Sequence, residues 1–191
     1  MKNVILALVA SVALAGTAVA GEYAGIDYQS KQRSGVDEQH DVLGVSVGAT
    51  LGTKLYAEGR MEEEIVHNPS KHEGLAQVKL GWNVLSWHKL TPYVAGAVGY
   101  KSKATSNFDY YVVEGGLKYP LFANLDVSAA SRLRSPFGES SMGGADAYRT
   151  VENSLGVKFK LDSKNAVTAK YAYEHGDRDY HTWGVGYVHS F

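Results

Sequence analysis

The chain of 191 residues contains no cysteine, which excludes a disulfide framework and any thiolate metal site. It has little excess charge: the formal net charge is −1, so neither a nucleic-acid footprint nor an acidic tail is indicated. It has one long hydrophobic run, Val4 to about Ala15, which falls short of the roughly 20 residues a helix needs to cross a bilayer. Lys2 precedes that run and Ala18-Val19-Ala20 follows it, so residues 1–20 read as a secretory signal cleaved before Gly21. Proline is also scarce, four against 21 glycines and 13 tyrosines. That bias suits pleated strands which need close backbone approach and interfacial rings.

From Gly21 onward no helical period outlasts a turn, and strict alternation takes its place. Leu43, Val45, Val47, Ala49 and Leu51 fall on one face, with Gly44, Ser46, Gly48 and Thr50 on the other. Leu155, Val157, Phe159 and Leu161 oppose Ser154, Gly156, Lys158 and Lys160 in the same way. Strands are expected over 22–33, 40–51, 54–67, 72–85, 90–104, 107–119, 123–135, 148–161, 165–177 and 180–191. Most are about twice as long as the 5–6 residues usual in globular proteins, and long enough for the roughly 9–11 that a tilted strand needs to span a membrane.

The connections sort into two alternating classes. "GT", "SWHK", "LFA" and "DSK" are tight, whereas "SGVDEQ", "NPSK", "KATSN", "SPFGESSMGGADA" and "GDRD" are generally longer and more polar. Short turns at one end and longer loops at the other describe an all-β, closed antiparallel transmembrane β-barrel with periplasmic turns and external loops. Ten strands are expected, with eight as the alternative, in one domain over 21–191. A soluble β-sandwich also alternates, but its polar face would not be rich in glycine, alanine and serine. Aromatic residues near strand ends, among them Tyr23, Tyr28, Trp82, Tyr93, Tyr100, Trp183 and Tyr187, are expected in the membrane girdles.

"TPYVAGAVGY" at 91–100, "VEGGLKYPLFANLDVSAASRLR" at 113–134 and "GVGY" at 184–187 with the terminal Phe191 resemble strands of small Gram-negative outer-membrane barrels of the opacity and porin-like group. The resemblance implies Sec export and insertion into the outer membrane. It also implies contact with outer-membrane lipid and lipopolysaccharide, and recognition of Gly186, Tyr187 and Phe191 by the barrel assembly machinery. His189 departs from the pattern, which prefers an apolar or aromatic residue there. Barrels of this kind host many functions, so the resemblance carries location and fold rather than activity.

With the apolar faces toward lipid, acids and bases meet inside in near balance. Glu58, Arg60, Glu62, Glu114, Lys118, Arg132, Arg134 and Lys158 are the expected pore-lining residues. The function expected is structural, or a narrow passive pore for water, ions or small solutes. An adhesin or receptor acting through the external loops, chiefly 138–146, is the alternative. Glu63 has the opposite phase to Glu62 and Glu64, and belongs at the outer rim unless a bulge turns it inward. His40, His67, His72, His175 and His181 read as scattered rim histidines, so no metal and no cofactor is expected. Asp179 and His181 share a strand face, as an omptin-like protease requires, but no second aspartate pair accompanies them, so the chain reads as not an enzyme.

Overall fold

A computed structural model describes residues 21–67, 71–84, 87–103, 107–137, 149–176 and 178–191. The expected signal sequence and the loop at 138–146 lie outside the described residues. Ten strands follow one another: β1 Tyr23–Arg33, β2 Gln39–Leu51, β3 Leu55–His67, β4 Lys71–Asn83, β5 Thr91–Ser102, β6 Asn107–Phe122, β7 Leu125–Pro136, β8 Thr150–Lys160, β9 Asn165–His175 and β10 Tyr180–Ser190. Each pairs antiparallel with its sequence neighbours, and β1 closes against β10. The count is therefore ten and not eight, and no sheet edge is left open.

The register fixes the geometry of the wall. From Leu55 the cross-strand partners run through Trp82, Val94, Gly115, Ser131, Asn153, Tyr173, His181, Gln32 and Gln39, and return to β3 at His67. The stagger is 67 − 55 = 12 residues. With strands about 4.8 Å apart and a rise of about 3.3 Å per residue, ten strands at this stagger tilt by about 40° and set the Cα wall at a radius of about 10 Å. A cylinder this narrow is half-filled by its own side chains, so the identity of each inward residue decides whether space remains.

Alternation places the apolar set outside. Leu43, Val98, Val113, Leu155, Trp183 and Val185 are all more than half exposed on the outer wall. Continuous exposed apolar surface of this kind is costly in water and is the surface a bilayer covers. Glu63 continues its strand in unbroken register, opposite Gly74 and Leu43, so no bulge rescues it. Its carboxylate stays on the outer wall and meets His72 Nδ1 at 3.2 Å. One register shift occurs among the described ladders, between Pro120 and Phe122, where the proline interrupts β6 at its turn end.

Two of the short turns show what holds them. Asp162 accepts hydrogen bonds from the Asn165 side chain and from the backbone N–H groups of Lys164 and Asn165. Those donors hold its carboxyl below the usual carboxylate range. Between β4 and β5, Trp87 and Leu90 exchange two backbone hydrogen bonds across His88 and Lys89, both with φ positive, at 46° and 71°. That is the two-residue hairpin geometry which favours Asn-Gly, and L residues other than glycine and asparagine are strained in it. Replacing His88-Lys89 by Asn-Gly is expected to stabilise the barrel by about 1 kcal/mol. The shift in the urea midpoint of unfolding from detergent or lipid checks it.

Candidate functional site

The inner wall carries two kinds of residue, arranged by height. Gly25, Ser46, Ser128, Ala130 and Gly156 leave room inside the wall, and together with larger side chains, from Tyr23 and Lys118 near the short turns to Glu64 and Lys101 near the loops, they line a cavity of about 790 Å³. Toward the long-loop end, large and charged side chains fill the lumen. His40, Lys101, Tyr110, Glu174 and Tyr180 are all buried there, each within three residues of the loop end of its strand. The space toward the short turns is the vestibule, and the packed side chains of the long-loop end, Glu64, Lys101 and Glu174 among them, border the same cavity.

Four of the inward tyrosines lie over cross-strand glycines. Tyr23 lies over Gly48, Tyr56 over Gly81, Tyr93 over Gly116 and Tyr110 over Gly99, and in every case the glycine is the tyrosine's direct cross-strand partner. A Cβ at any of these glycines would enter the ring. Tyr23 and Tyr93 therefore do not belong to the outer girdle, where their position near strand ends had put them. Their phase matches Asp27 and Lys101, and a vacant glycine across the ladder gives the ring a bed inside. Their hydroxyls then reach carboxylates: Tyr23 donates to Glu58 at 2.5 Å and Tyr93 to Glu114 at 2.9 Å.

All eight expected pore-lining residues face the cavity. Most carboxylates in it are ion-paired. Arg60 bridges Asp27 at 2.7 Å and Glu62 at 2.5 Å, Lys79 meets Glu58 at 3.0 Å, and Lys170 meets Glu152 at 2.6 Å. Asp126 pairs with Lys160 at 2.9 Å, and Glu174 with Arg134 at 3.2 Å and Lys31 at 3.5 Å. Such pairing is what makes charge tolerable in a narrow lumen.

Three cations lack a carboxylate partner among the described residues. Arg132 donates to Gln77 Oε1 at 2.9 Å. Lys118 lies over the rings of Tyr56 and Tyr93, 4.9 and 4.6 Å from their centroids, and touches Asn83 Oδ1 at 3.4 Å. Lys158 lines the cavity. Against them stands one carboxylate without an ion pair, Glu114. Lys118 and Lys158 sit near the short-turn end and Arg132 deeper, all on β6 to β8.

The packed layer is a group that sequence reasoning missed. His40 does not belong to the rim: it points inward, in phase with Val42 and Gly44, and is 6 % exposed. Its Nδ1 lies 2.6 Å from Glu64 Oε1 and its Nε2 2.9 Å from Glu38 Oε1. Glu64 continues to Lys101 at 2.9 Å, and Lys101 to Glu73 at 3.0 Å. Tyr180 packs its ring at 5.3 Å from the imidazole, and Lys31 lies over the same ring at 4.3 Å. Parity along β2 was the available signal for His40, and proximity to a loop masked it. The other four histidines of the group, His67, His72, His175 and His181, do stand on the outer wall or its rim and are exposed.

Asp179 and His181 are engaged separately. Tyr173 and His175 bond the Asp179 carboxylate at 2.7 and 2.8 Å, and the Tyr173 hydroxyl is the main cause that holds this acid below its usual range. His181 Nδ1 is 2.8 Å from the Tyr171 hydroxyl. At the closing seam, Gly186 faces inward against Thr168 and Asp27, and Tyr187 reaches Asn165 on the outside. The Phe191 N–H donates to the Glu22 carbonyl at 3.0 Å. His189 Nδ1 lies 2.8 Å from Oδ1 of the same Asn165.

No family profile matches the chain, and no curated protein sequence matches it. Solved structures do. The NanC porin is 12% identical with a TM-score of 0.51, over 86% of this chain and 98% of that one. The translocator domain of the autotransporter NalP from Neisseria meningitidis is 12% identical with a TM-score of 0.52, over 88% and 87%. The β domain of the Bordetella autotransporter BrkA is 15% identical with a TM-score of 0.52, over 91% and 100%. At these identities the likeness establishes the fold, a closed β-barrel of the outer-membrane type.

Proposed function

We propose that the protein is an outer-membrane barrel of the porin-like kind that forms a narrow passive pore for water, ions and small solutes. The observation that carries the reading is the polar cavity of about 790 Å³ inside a wall whose outer face is apolar. Lys118, Lys158 and Arg132, against Glu114, leave the field of the vestibule positive once paired charges are set aside, so small anions are favoured over cations. The motif at Thr91–Tyr100 supports a place beside the opacity-type barrels. In this reading residues 1–20 direct Sec export, and the partners are lipid, lipopolysaccharide and the barrel assembly machinery, which reads Gly186, Tyr187 and Phe191.

Bilayer recordings in a salt gradient test the pore. The expected result is a reversal potential of anion-selective sign, which inverts in the double variant Lys118→Glu, Lys158→Glu. Both side chains stand at the vestibule mouth, so the variant is expected to retain the heat-dependent gel mobility of a closed barrel. A barrel that inserts and stays silent under all conditions would overturn the pore.

A further inference from the structure

Two of the three lumenal cations without a carboxylate are held by neutral groups instead. Arg132 donates to the Gln77 amide oxygen, and Lys118 rests on the rings of Tyr56 and Tyr93 with the Asn83 amide oxygen beside it. A neutral holder fixes a cation in place without cancelling its charge. For Lys118 such a holder is needed, because Glu114, the lumenal carboxylate without an ion pair, stands on the same face of the same strand.

Four residues of β6 separate the two charges, about 13 Å from Cα to Cα at a rise of about 3.3 Å per residue. A lysine and a glutamate that lean toward each other close a gap of that size. Gly116 lies midway between them, and the ring of its cross-strand partner Tyr93 takes the space above it, so that a Cβ on Gly116 would stand 2.5 Å from the ring. The ring is therefore inserted between the charges. Its hydroxyl donates to Glu114 Oε1 at 2.9 Å, and its face lies 4.6 Å from the Lys118 ammonium. Tyr56, bedded on Gly81, adds a second face at 4.9 Å. Glu58 does not compete for the lysine, because the Tyr23 hydroxyl at 2.5 Å and Lys79 at 3.0 Å already hold it.

Deepening the pore reading above, on which its role in passage rests, we propose that the short-turn mouth carries a binding site for a small oxyanion. Lys118 is its charged ligand, and Tyr93, helped by Tyr56, is the positioning residue that keeps this ammonium off Glu114. The hydroxyl satisfies the carboxylate and the two faces satisfy the ammonium, so neither charge gains by reaching for the other. An ammonium on a ring face keeps its field and its outward N–H donors for an anion, whereas one in an ion pair has lost both. Without the Tyr93 ring, the bed at Gly116 stands open and Lys118 collapses onto Glu114.

Inorganic sulfate, titrated into the folded barrel in detergent at constant ionic strength, tests the site through the NMR signals of the Lys118 ε-methylene group. In the unaltered protein these signals are expected upfield of the other lysines, from the ring currents of two tyrosines, and sulfate is expected to move them saturably. Tyr93→Leu is expected to weaken sulfate binding about fivefold or more, the worth of one contact charge in water. In a Glu114→Gln background Lys118 has no carboxylate to collapse onto, so there the same replacement is expected to cost less than about twofold. An equal loss in both backgrounds would show that Tyr93 is merely structural and would overturn the spacer. Lys118 signals at ordinary positions, or unmoved by sulfate, in the unaltered protein would overturn the site itself, and that reading stands even if Tyr93→Leu does not fold. Permeation plays no part in this measurement, so a barrel that binds sulfate at Lys118 and stays silent in bilayers upholds the site and overturns the pore alone.

Discussion

Gly99→Val is expected to prevent the chain from closing into a barrel under conditions where the unaltered protein folds. Gly99 sits on the inner face of β5, and a Cβ there would stand 2.8 Å from the backbone oxygen of Ala76 on β4 while intruding on the Tyr110 ring. A flexible side chain could yield, but a strand backbone held in its ladder cannot. Nor can the ring move away, because Tyr110 is fully buried and packed with Ala97, Val112, Leu75 and Phe108. Overpacking a rigid interior costs about 1–3 kcal/mol and sometimes more, and this site combines a ring clash with a backbone clash. A loss of at least about 3 kcal/mol is therefore expected, read as loss of the folded band in unheated gels and a lowered urea midpoint. Gly96→Ala on the same strand is the control. Nothing lies within 4 Å of a Cβ there except the Val112 carbonyl oxygen at 3.9 Å, so its folded fraction should match the parent. Equal folding of both variants would show that the tyrosine–glycine beds do not specify the fold.

The same beds mark where the sequence stops being legible. Strand order, number and parity follow from alternation and from the two classes of connection, because lipid demands an apolar outer face at every second residue. The eight charged residues assigned to the lumen share that parity and do line it. Parity gives a face but no height, and no partner across the lumen. The stagger of 12 residues decides both, and it depends on every turn length at once. Thus Arg132 of β7 meets Gln77 of β4 across a separation of 55 residues, through a curvature of the wall that no local pattern contains. Tyr23 and Tyr93 show the converse failure. Their parity pointed inward, but strand-end aromatics are so common in girdles that position overrode it. The cross-strand glycines at 48 and 116 were the evidence to weigh, and they become visible only with the register.

Height also explains how one lumen combines a vestibule with a packed layer. Charged side chains line the lumen from Lys118 and Lys158 near the short turns to Lys101 and Glu174 near the loops, and small residues such as Gly25, Ser128 and Gly156 leave space among them. At a wall radius of about 10 Å, arginine, lysine and glutamate from facing strands can meet near the axis, whereas glycine and serine leave the axis open. Substitutions in the packed layer should act on conduction and stability together, while those at the vestibule mouth should act on selectivity alone.

Lys101→Met carries the largest stability cost expected of any single charge in that layer. The Lys101 ammonium lies 2.9 Å from Glu64 and 3.0 Å from Glu73, with its side chain 9% exposed. Methionine matches the length of the stem and removes only the charge, so packing is largely retained. What remains is Glu73 without its partner and Glu64 dependent on His40, both in a poorly hydrated layer. Leaving one member of a buried pair uncompensated costs about 3–5 kcal/mol, whereas an exposed pair would cost less than about 1. Urea unfolding in lipid vesicles should show the larger loss. Adding Glu64→Gln and Glu73→Gln to Lys101→Met should return more than about 1 kcal/mol of it, since the stranded charges are then gone. If the triple variant is no more stable than Lys101→Met, the cost lies in packing and the layer is not held by its charges.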